Sequence, residues 1–322
     1  MKRLLVIDAL NMYFRAYIVD PSLSTNGQPI GGVKGFLKIL QKMLREMNPD
    51  AVVICWDGPG GSYRRKKIVK SYKEGRKPIR LNRDIRNMTE NEEIENKVWQ
   101  QTRLVELLNN MPIIQMMLPE VEADDLISWT VQQPKYADWQ KVIISSDKDF
   151  FQLCDDNTVV FRPIQKEVLN KNAIVEKFGI HPTNFALARA IAGDKSDNLP
   201  GVQGVGLPTV AKRLPFLAEQ TTVTCDQVRV FCNAEAEESS VKAYEKIIEE
   251  FDKVEVNYKM MQLYAPMIPV QGKLHLKRTI KDFKPEFNKT EIRKMMIQDG
   301  FGEGNWNTMF QTFNRFVHEG WE

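Results

Sequence analysis

Short apolar, β-branched runs separated by helical segments are the feature of this sequence that most restricts its fold. These runs occupy residues 4–7, 51–56, 113–117, 142–144 and 158–161. Between the first two, apolar pairs at 36–37, 39–40 and 43–44 recur at helical spacing. Buried strands that alternate with helices are typical of a parallel sheet covered on both faces. The sequence therefore predicts an α/β fold with a central, mainly parallel sheet.

Acidic residues follow these predicted strands, so a parallel sheet would gather them at one edge. The acids at strand ends, or at the helix start after the third strand, are Asp8, Asp57, Glu122, Asp124, Asp125, Asp147 and Asp149. Each has an ordinary alternative as a turn or helix-cap residue, for example Asp8 and Asp125 as N-caps. Together they would repel one another, by about 4 kcal/mol per pair at 4 Å and a dielectric near 20. The pattern therefore predicts a cation among them.

Two further acids, Asp194 and Asp197, directly precede a glycine turn formed by Gly201, Gly204 and Gly206. The alternative is an acidic surface turn before a helix, but the glycines also allow backbone amides to approach a phosphate closely. All-oxygen ligation suits Mg²⁺ or Mn²⁺. Two groups of acids predict a two-metal phosphodiesterase, in which one ion activates water and the other stabilises the leaving oxygen.

A basic stretch follows the second predicted strand. Residues 64–86 contain eleven Lys and Arg residues against Glu74 and Asp84, and Tyr63 and Tyr72 lie in or beside it. A solvated face is the ordinary alternative. Aromatic and basic side chains in alternation favour unpaired nucleic acid, and we expect the stretch to stay mobile and undocked until nucleic acid binds.

Composition excludes several classes. Four cysteines without C-x-x-C spacing and three scattered histidines argue against a disulfide framework, a zinc site and a histidine triad. No window is long and apolar enough to span a bilayer. We expect a monomeric cytoplasmic protein that does not contact membranes.

Several motifs together resemble the 5′ nuclease family, which includes the 5′→3′ exonuclease domain of bacterial DNA polymerase I and the flap endonucleases of bacteriophages. The resemblance covers residues 4–214. It rests on Val6-Ile7-Asp8, Trp56-Asp57, Tyr72-Lys73-x-x-Arg76, Val121-Glu122-Ala123-Asp124-Asp125, Ser146-Asp147-Lys148-Asp149 and Gly193-Asp194-x-x-Asp197-Asn198-Leu199-Pro200-Gly201-Val202-x-Gly204-Val205-Gly206.

The resemblance implies a PIN-like nuclease core at 1–165 with a basic helical arch at 64–98. A DNA-binding region of helix-hairpin-helix type would occupy 166–265, and 266–322 would form an extension of unknown role. One metal ion would be held by Asp57, Glu122, Asp124 and Asp125, and the other by Asp147, Asp149, Asp194 and Asp197, with Asp8 acting through water.

The same resemblance assigns nucleic-acid contacts. Lys73 and Arg76 would polarise the scissile phosphate, and Tyr72 would stack on the terminal base. A further arginine of the family corresponds to Arg64 or Arg65, and the spacing favours Arg65. The hairpin would hold K⁺ at a duplex phosphate. This chain has Pro208 where relatives carry a lysine, and Lys212 and Arg213 are candidates to replace it.

The expected function is a stand-alone, metal-dependent 5′ nuclease that removes flaps or RNA primers, an RNase H-type activity, during DNA replication. Its substrates would be branched duplex DNA and RNA-primed DNA, and its partners a single-stranded-DNA-binding protein or a sliding clamp. The alternatives are a catalytically silent relative that binds branched DNA, and a PIN-like ribonuclease. Near the end of the chain, Trp306, Phe310, Phe313 and Phe316 at helical spacing favour a core contact over a docking face.

Overall fold

The computed structural model describes residues 1–85, 88–302 and 304–319. In chain order its main elements are β1 (Arg3–Asp8), α1 (Ala9–Val19), α2 (Gly31–Met47), β2 (Ala51–Cys55), α3 (Tyr63–Ile68), α4 (Glu90–Asn109), β3 (Ile114–Met116), α5 (Ala123–Val131), β4 (Gln140–Ile144), β5 (Thr158–Arg162), β6 (Glu167–Leu169), α6 (Lys171–Phe178), α7 (Pro182–Ala192), β7 (Gly193–Asp194), β8 (Leu199–Pro200), α8 (Leu207–Arg213), α9 (Cys225–Glu238), α10 (Lys242–Glu249), α11 (Phe251–Met261), α12 (Val270–Asp282), α13 (Lys289–Gln298) and α14 (Asn307–Glu319). Short 3₁₀ helices cover Pro134–Tyr136, Asp149–Leu153 and Pro215–Ala218.

The chain divides into two compact units. The first comprises Met1–Asp57, Lys77–Met117 and Pro269–Glu322, and the second comprises Gly58–Arg76 and Leu118–Ile268. This grouping differs from the predicted segments 1–165, 166–265 and 266–322, whose boundaries stay a prediction.

In the first unit, β1 pairs in parallel with β2, and β2 pairs in parallel with β3. Every residue of β2 is buried, and so are all but the first of β1. This burial explains why both strands read as continuous apolar runs. Asp8 lies opposite Cys55 in the register, and Asp57 follows two residues later. The two acids therefore lie at the carboxyl ends of neighbouring strands, as the sequence predicted.

In the second unit, β4 pairs in parallel with β5, and β6 returns antiparallel to β5. The antiparallel β6 is three residues long, too short for a periodic signal in the sequence. The α/β class and the mainly parallel pairing are confirmed.

A helix-hairpin-helix element also lies in the second unit. Helix α7 ends at Ala192, β7 and β8 form a two-stranded antiparallel hairpin, and α8 begins at Leu207. A Cβ atom on Gly201 would lie 2.2 Å from the Ala192 carbonyl, so this glycine permits close packing of the turn against the end of α7.

The basic stretch is helical at its ends only. Helix α3 ends at Ile68, α4 begins at Glu90, and residues 69–85 form turns and irregular chain. The expected helical arch over 64–98 therefore needs correction in its middle part, where Gly75 at φ +74° and Pro78 disfavour a continuous helix. Arg86 and Asn87 lie outside the described residues.

The aromatic residues near the end of the chain belong to a core. Phe313 and Phe316 are almost wholly buried, and Trp306 and Phe310 are each 9% exposed. Helix α14, which carries the three phenylalanines and follows Trp306, packs against α2 within the first unit. The predicted core contact is confirmed.

Candidate active site

The second unit brings together acids from three separate segments and basic residues from a fourth. The acids stand at the start of α5, after β4, and in the hairpin that follows α7. The basic residues lie between 64 and 76 in the basic stretch. The seven predicted acids of this unit are Glu122, Asp124, Asp125, Asp147, Asp149, Asp194 and Asp197. Asp8 and Asp57 belong to the first unit.

Arg65 is the buried counter-ion of the α5 acids. Its guanidinium lies 2.6 Å from one Asp125 oxygen and 3.2 Å from the other, and 2.8 Å from Glu122 Oε2. Its Nε donates to the Met260 carbonyl at 3.0 Å. Planar guanidinium groups bind carboxylates in this bidentate way, and the Asp125 charge raises the pKa of Arg65 even though burial acts against it.

The two candidate arginines therefore differ. Arg65 is 3% exposed and engaged with acids, whereas Arg64 is half-buried with its guanidinium 3.5 Å from Glu120. All three guanidinium nitrogens of the favoured Arg65 contact oxygens of the protein itself. Its contact with nucleic acid stays a prediction.

Tyr72 differs from the expected stacking platform. Its ring is 3% exposed and packs with Leu199, Met260 and Met261. Its hydroxyl lies 3.1 Å from Glu122 Oε2 and 3.0 Å from Asp197 Oδ2, and its single proton can be donated to one of them at a time. The burial of Arg65 and Tyr72 shows that this part of the basic stretch is docked, and the expectation that it would lack a docked part was wrong. The hydrogen bond of the hydroxyl helps to hold Tyr72 in this position, and a pattern of apolar residues in the sequence does not predict such a bond.

Lys73 and Arg76 bind the same two acids. Lys73 Nζ lies 2.5 Å from Glu122 Oε1, and Arg76 forms an ion pair with Asp197. The backbone of Lys73 has φ +57°, a left-handed conformation, and its amide donates to the Asp197 carbonyl at 2.9 Å. The turn that carries both cations is therefore tied directly to the hairpin acid.

Arg189 was missed by the sequence analysis. From the last turn of α7, its Nε lies 3.0 Å from Asp149 Oδ1, and its Nη2 pairs with Asp194. Asp194 also accepts the Ser196 amide at 2.7 Å and the Ser196 hydroxyl at 2.6 Å. The only signal in the sequence was a cation at the end of a helix, five residues before the hairpin acid.

Asp147 and Asp149, the acids after β4, have too few positive groups and hydrogen-bond donors around them to balance their charge fully. Burial raises the pKa of both Asp147 and Asp149, and repulsion from Asp147 raises the pKa of Asp149 further. Asp194 behaves in the opposite way. Burial would raise its pKa, but the Ser196 hydrogen bonds and the Arg189 charge hold the pKa below its ordinary value.

The donor set fits a hard divalent cation better than any other metal, since it consists of carboxylate oxygens. Among the described residues, no group of three or more His, Cys, Asp or Glu side chains is already arranged to hold an ion. The acids are instead paired with Arg65, Lys73, Arg76 and Arg189. Asp124 is half-exposed beside this cluster and lines a small pocket with Asp149 and Asp197.

The tip of the glycine turn is exposed. Gly204 has φ +76°, and Gly206 is the N-cap of α8, where a Cβ atom would meet only Pro208 Cδ at 3.8 Å. The valines of the turn, Val202 and Val205, are buried and anchor it. Lys212 is exposed and Arg213 is half-buried in the last turn of α8.

Helix α10 supplies a cation to this turn. A Cβ atom on Gly204 would lie 3.6 Å from Lys246 Nζ, and the Gln203 amide donates to Glu250 at 3.0 Å. Lys246 stands beside the turn although it is forty residues away in the chain. Sequence spacing gave no sign of it.

Helix α11 supports the whole arrangement. The buried Asn257 donates to the Ala190 carbonyl of α7 and to the Pro200 carbonyl of β8, both at 3.0 Å. Gln152, which follows the β4 acids, donates to the Met261 carbonyl at 3.0 Å. One helix therefore fixes the hairpin and the β4 loop.

Asp8 stands at a second position of interest, in the first unit. It is the N-cap of α1 and accepts the Asn11 amide at 3.1 Å, which agrees with the cap alternative. Asp57 is exposed beyond β2. Their predicted roles with metal stay predictions.

None of the described helices is both long and apolar enough to cross a bilayer.

An α/β fold with acids beyond parallel strands and a helix-hairpin-helix element is the architecture of a class of nucleases. The family model described as "5'-3' exonuclease, N-terminal resolvase-like domain" matches residues 3–179. The chain belongs to this 5′-3′ exonuclease family.

Individual relatives agree with this assignment. The chain is 30% identical over 214 residues to the 5'-3' exonuclease of Aquifex aeolicus, which covers 65% of this chain and 68% of the relative. It is 31% identical over 213 residues to DNA polymerase I of Thermus aquaticus, covering 66% of this chain and 24% of the polymerase. The chain therefore spans about a quarter of that polymerase's length.

Solved structures share the fold. The bacteriophage T5 D15 protein, crystallised with metal ions, has a TM-score of 0.64 at 16% identity and covers 92% of this chain and 98% of its own. Human GEN1 bound to Holliday junction DNA has a TM-score of 0.57 at 12% identity and covers 96% of this chain and 70% of its own. These likenesses confirm the predicted PIN-like fold class.

Proposed function

We propose that this protein is a divalent-metal-dependent 5′ nuclease that hydrolyses phosphodiester bonds in branched DNA and removes 5′ flaps and RNA primers during replication. The observation that carries the proposal is the convergence of acids from three segments of the second unit on one set of basic residues. In relatives, the T5 D15 flap endonuclease has been crystallised with DNA and metal ions. That likeness supports the substrate class.

Divalent ions would be held by the two acids after β4, whose negative charge is incompletely compensated, together with three acids near them. We assign Asp147, Asp149 and Asp194, with Asp124 and Asp197, to this role. Glu122 is shared with Arg65 and Lys73, and both oxygens of Asp125 are already used by Arg65. We therefore propose that Asp125 holds Arg65 in place. A bound divalent ion would offset the repulsion among these acids, stabilise charge on the phosphate and make water more acidic.

The basic residues have a separate task. Lys73 and Arg76 reach the acids from one turn, so a phosphate entering between them would find two donors already positioned. Arg76 is about half exposed and presents its guanidinium to incoming DNA. Lysine and arginine at this place would orient the scissile phosphate and stabilise its developing charge. Arg189 would keep Asp149 and Asp194 ionised and correctly oriented.

The glycine turn would grip the duplex away from the reacting bond. Gly204 exposes backbone, Lys246 adds positive charge beside it, and Lys212 lies in the last turn of α8, the helix that directly follows. We propose that Lys246 makes the phosphate contact that Pro208 cannot make. The monovalent cation expected at the hairpin is part of the same proposal.

Digestion of 5′-labelled substrates tests the function. Flap, nicked, blunt and RNA-primed duplexes should release short labelled products in Mg²⁺ or Mn²⁺ and none in EDTA. Binding without product in any divalent ion would indicate the catalytically silent alternative. Cleavage of structured RNA in preference to every DNA substrate would indicate the ribonuclease alternative.

A further inference from the structure

Helix α12 in the first unit has one buried face and one strongly basic face. It packs against β3 through Leu276 and Ile280, which are 1% and 6% exposed. These two residues are four apart and define the inner side of the helix. Lys277, Arg278 and Lys281 are exposed on the other side.

The cations of α12 form a row. Lys273, Lys277 and Lys281 are separated by four residues each, which is a rise of about 6 Å per step. Arg278 lies beside this row, and Asp282 is the only acidic residue of the helix. Within the described part of the chain, none of these four cations forms an ion pair with a carboxylate.

Helix α2 of the same unit provides an internal comparison. Lys38, Lys42 and Arg45 have similar spacing on α2. Lys38 pairs with Asp20 at 2.9 Å, and Lys42 and Arg45 each lie 3.9 Å from Glu46. The α2 row is a solvated face whose cations are paired, whereas in the described residues no cation of the α12 row is paired with a carboxylate.

Like charges four residues apart on a helix repel one another and destabilise it. The α12 row therefore costs stability without an intramolecular contact that offsets it. A polyanion would offset it. From Lys273 to Lys281 the row rises about 12 Å, which matches a run of successive phosphates at about 3.4 Å of axial rise per nucleotide of one strand.

We infer that the exposed Lys277, Arg278 and Lys281 of α12, with the half-buried Lys273 beside them, bind the phosphate backbone of a duplex DNA arm outside the catalytic cluster. This inference rests on the proposed function, since it supplies the arm of a branched substrate. This contact would be electrostatic and would not depend on the DNA sequence, because the side chains bind phosphates and not bases. An acidic protein is the other class of partner that such a face could attract, and it is an outcome of the test.

The test compares two triple variants of the full chain. One carries Lys277→Gln, Arg278→Gln and Lys281→Gln, and the matched control carries Lys38→Gln, Lys42→Gln and Arg45→Gln. Binding to a fluorescent flap duplex is measured by anisotropy in EDTA between 50 and 200 mM salt, so that the result does not depend on cleavage. Thermal melting checks that both variants remain folded.

The α12 variant should weaken binding at least about tenfold at 100 mM salt and reduce the slope of log K against log salt by about 2–3, at about 0.9 per lost phosphate contact. In Mg²⁺ its KM should rise while kcat at saturating substrate stays unchanged. The control should keep the wild-type slope.

Two results would overturn the inference. If the α12 variant and the wild type bind DNA equally, with the same slope of log K against log salt, then this face does not bind DNA. An acidic protein would then be the remaining class of partner. An equal loss of DNA affinity in both triple variants would show that binding depends only on the net charge of the protein and not on α12. Failure of the wild type to cleave in Mg²⁺ would instead refute the proposed nuclease, and the binding comparison in EDTA would still stand.

Discussion

Two pairs of acids in the second unit have opposite electrostatic surroundings. Glu122 and Asp125 share the buried guanidinium of Arg65, and Asp125 also accepts the Met267 amide at 2.9 Å. Asp147 and Asp149 are half-buried in the loop after β4, desolvation raises the pKa of each, and of the two only Asp149 pairs with Arg189 in the described residues. The fold compensates the charge of the first pair, whereas it disfavours the ionised form of the second pair, which a divalent ion would favour under the proposed function. Acids predicted alike from the sequence therefore divide into a pair compensated by the fold and a pair that is compensated incompletely.

The largest expected effect concerns the compensated pair. Arg65→Met should lower the free energy of unfolding by about 3–5 kcal/mol, because it takes the guanidinium from buried Asp125 and leaves buried Glu122 with Lys73 alone. Urea unfolding followed by circular dichroism measures the change. Arg64→Met is the control, and its half-exposed pair with Glu120 should contribute less than about 1 kcal/mol. Similar losses in the two variants would mean that Arg65 is not the structural counter-ion.

The second prediction concerns the uncompensated pair. Asp147→Asn should reduce cleavage at saturating Mg²⁺ by at least about 10²–10³-fold, the range for loss of one group that stabilises a transition state. Duplex binding in EDTA should be retained. The folded state raises the pKa of Asp147, so it disfavours the ionised form at neutral pH, and a neutral Asn should raise the melting temperature. A lower melting temperature with unchanged turnover would place Asp147 among the acids compensated by the fold.

These contrasts show how far the sequence could be interpreted. The positions of Asp8, Asp57 and Asp147 after strands followed from apolar runs and the geometry of parallel sheets, both of which are local signals. The partners of the acids did not. Arg65 meets Asp125 across sixty residues, and Asn257 meets Ala190 across 67 residues, so neither leaves a spacing pattern. The burial of Tyr72 depends on Met260 and Met261 of α11, in a part of the chain where no motif was recognised.

The third prediction concerns the partial counter-ion of the second pair. Arg189→Met should cost about 1.5–3 kcal/mol of stability without divalent ions, the range for hydrogen bonds to charged groups. Saturating Mg²⁺ should restore part of this loss, because an ion bound only by the folded state stabilises it. Melting temperatures with and without Mg²⁺ measure the recovery. Arg65→Met serves as the comparison and should show little recovery, since its acids are not those assigned to the ion.

An equal response of the Arg189 and Arg65 variants to Mg²⁺ would contradict the division into two groups. It would place all four acids in one electrostatic environment. The metal assignment would then have to include Asp125.

The smallest expected effect distinguishes two roles of Tyr72, which joins Glu122 of the compensated pair to Asp197 of the hairpin. Tyr72→Phe removes only the hydroxyl and should cost about 0.5–1.5 kcal/mol of stability. If the ring stacks on a terminal base after leaving its pocket, this variant should keep the wild-type preference for single-stranded 5′ ends. Tyr72→Ala should then lose about 1–3 kcal/mol of binding to such ends. Equal end preference in both variants would assign Tyr72 to the packing of Leu199 and Met260 and leave recognition of the end to Lys73 and Arg76.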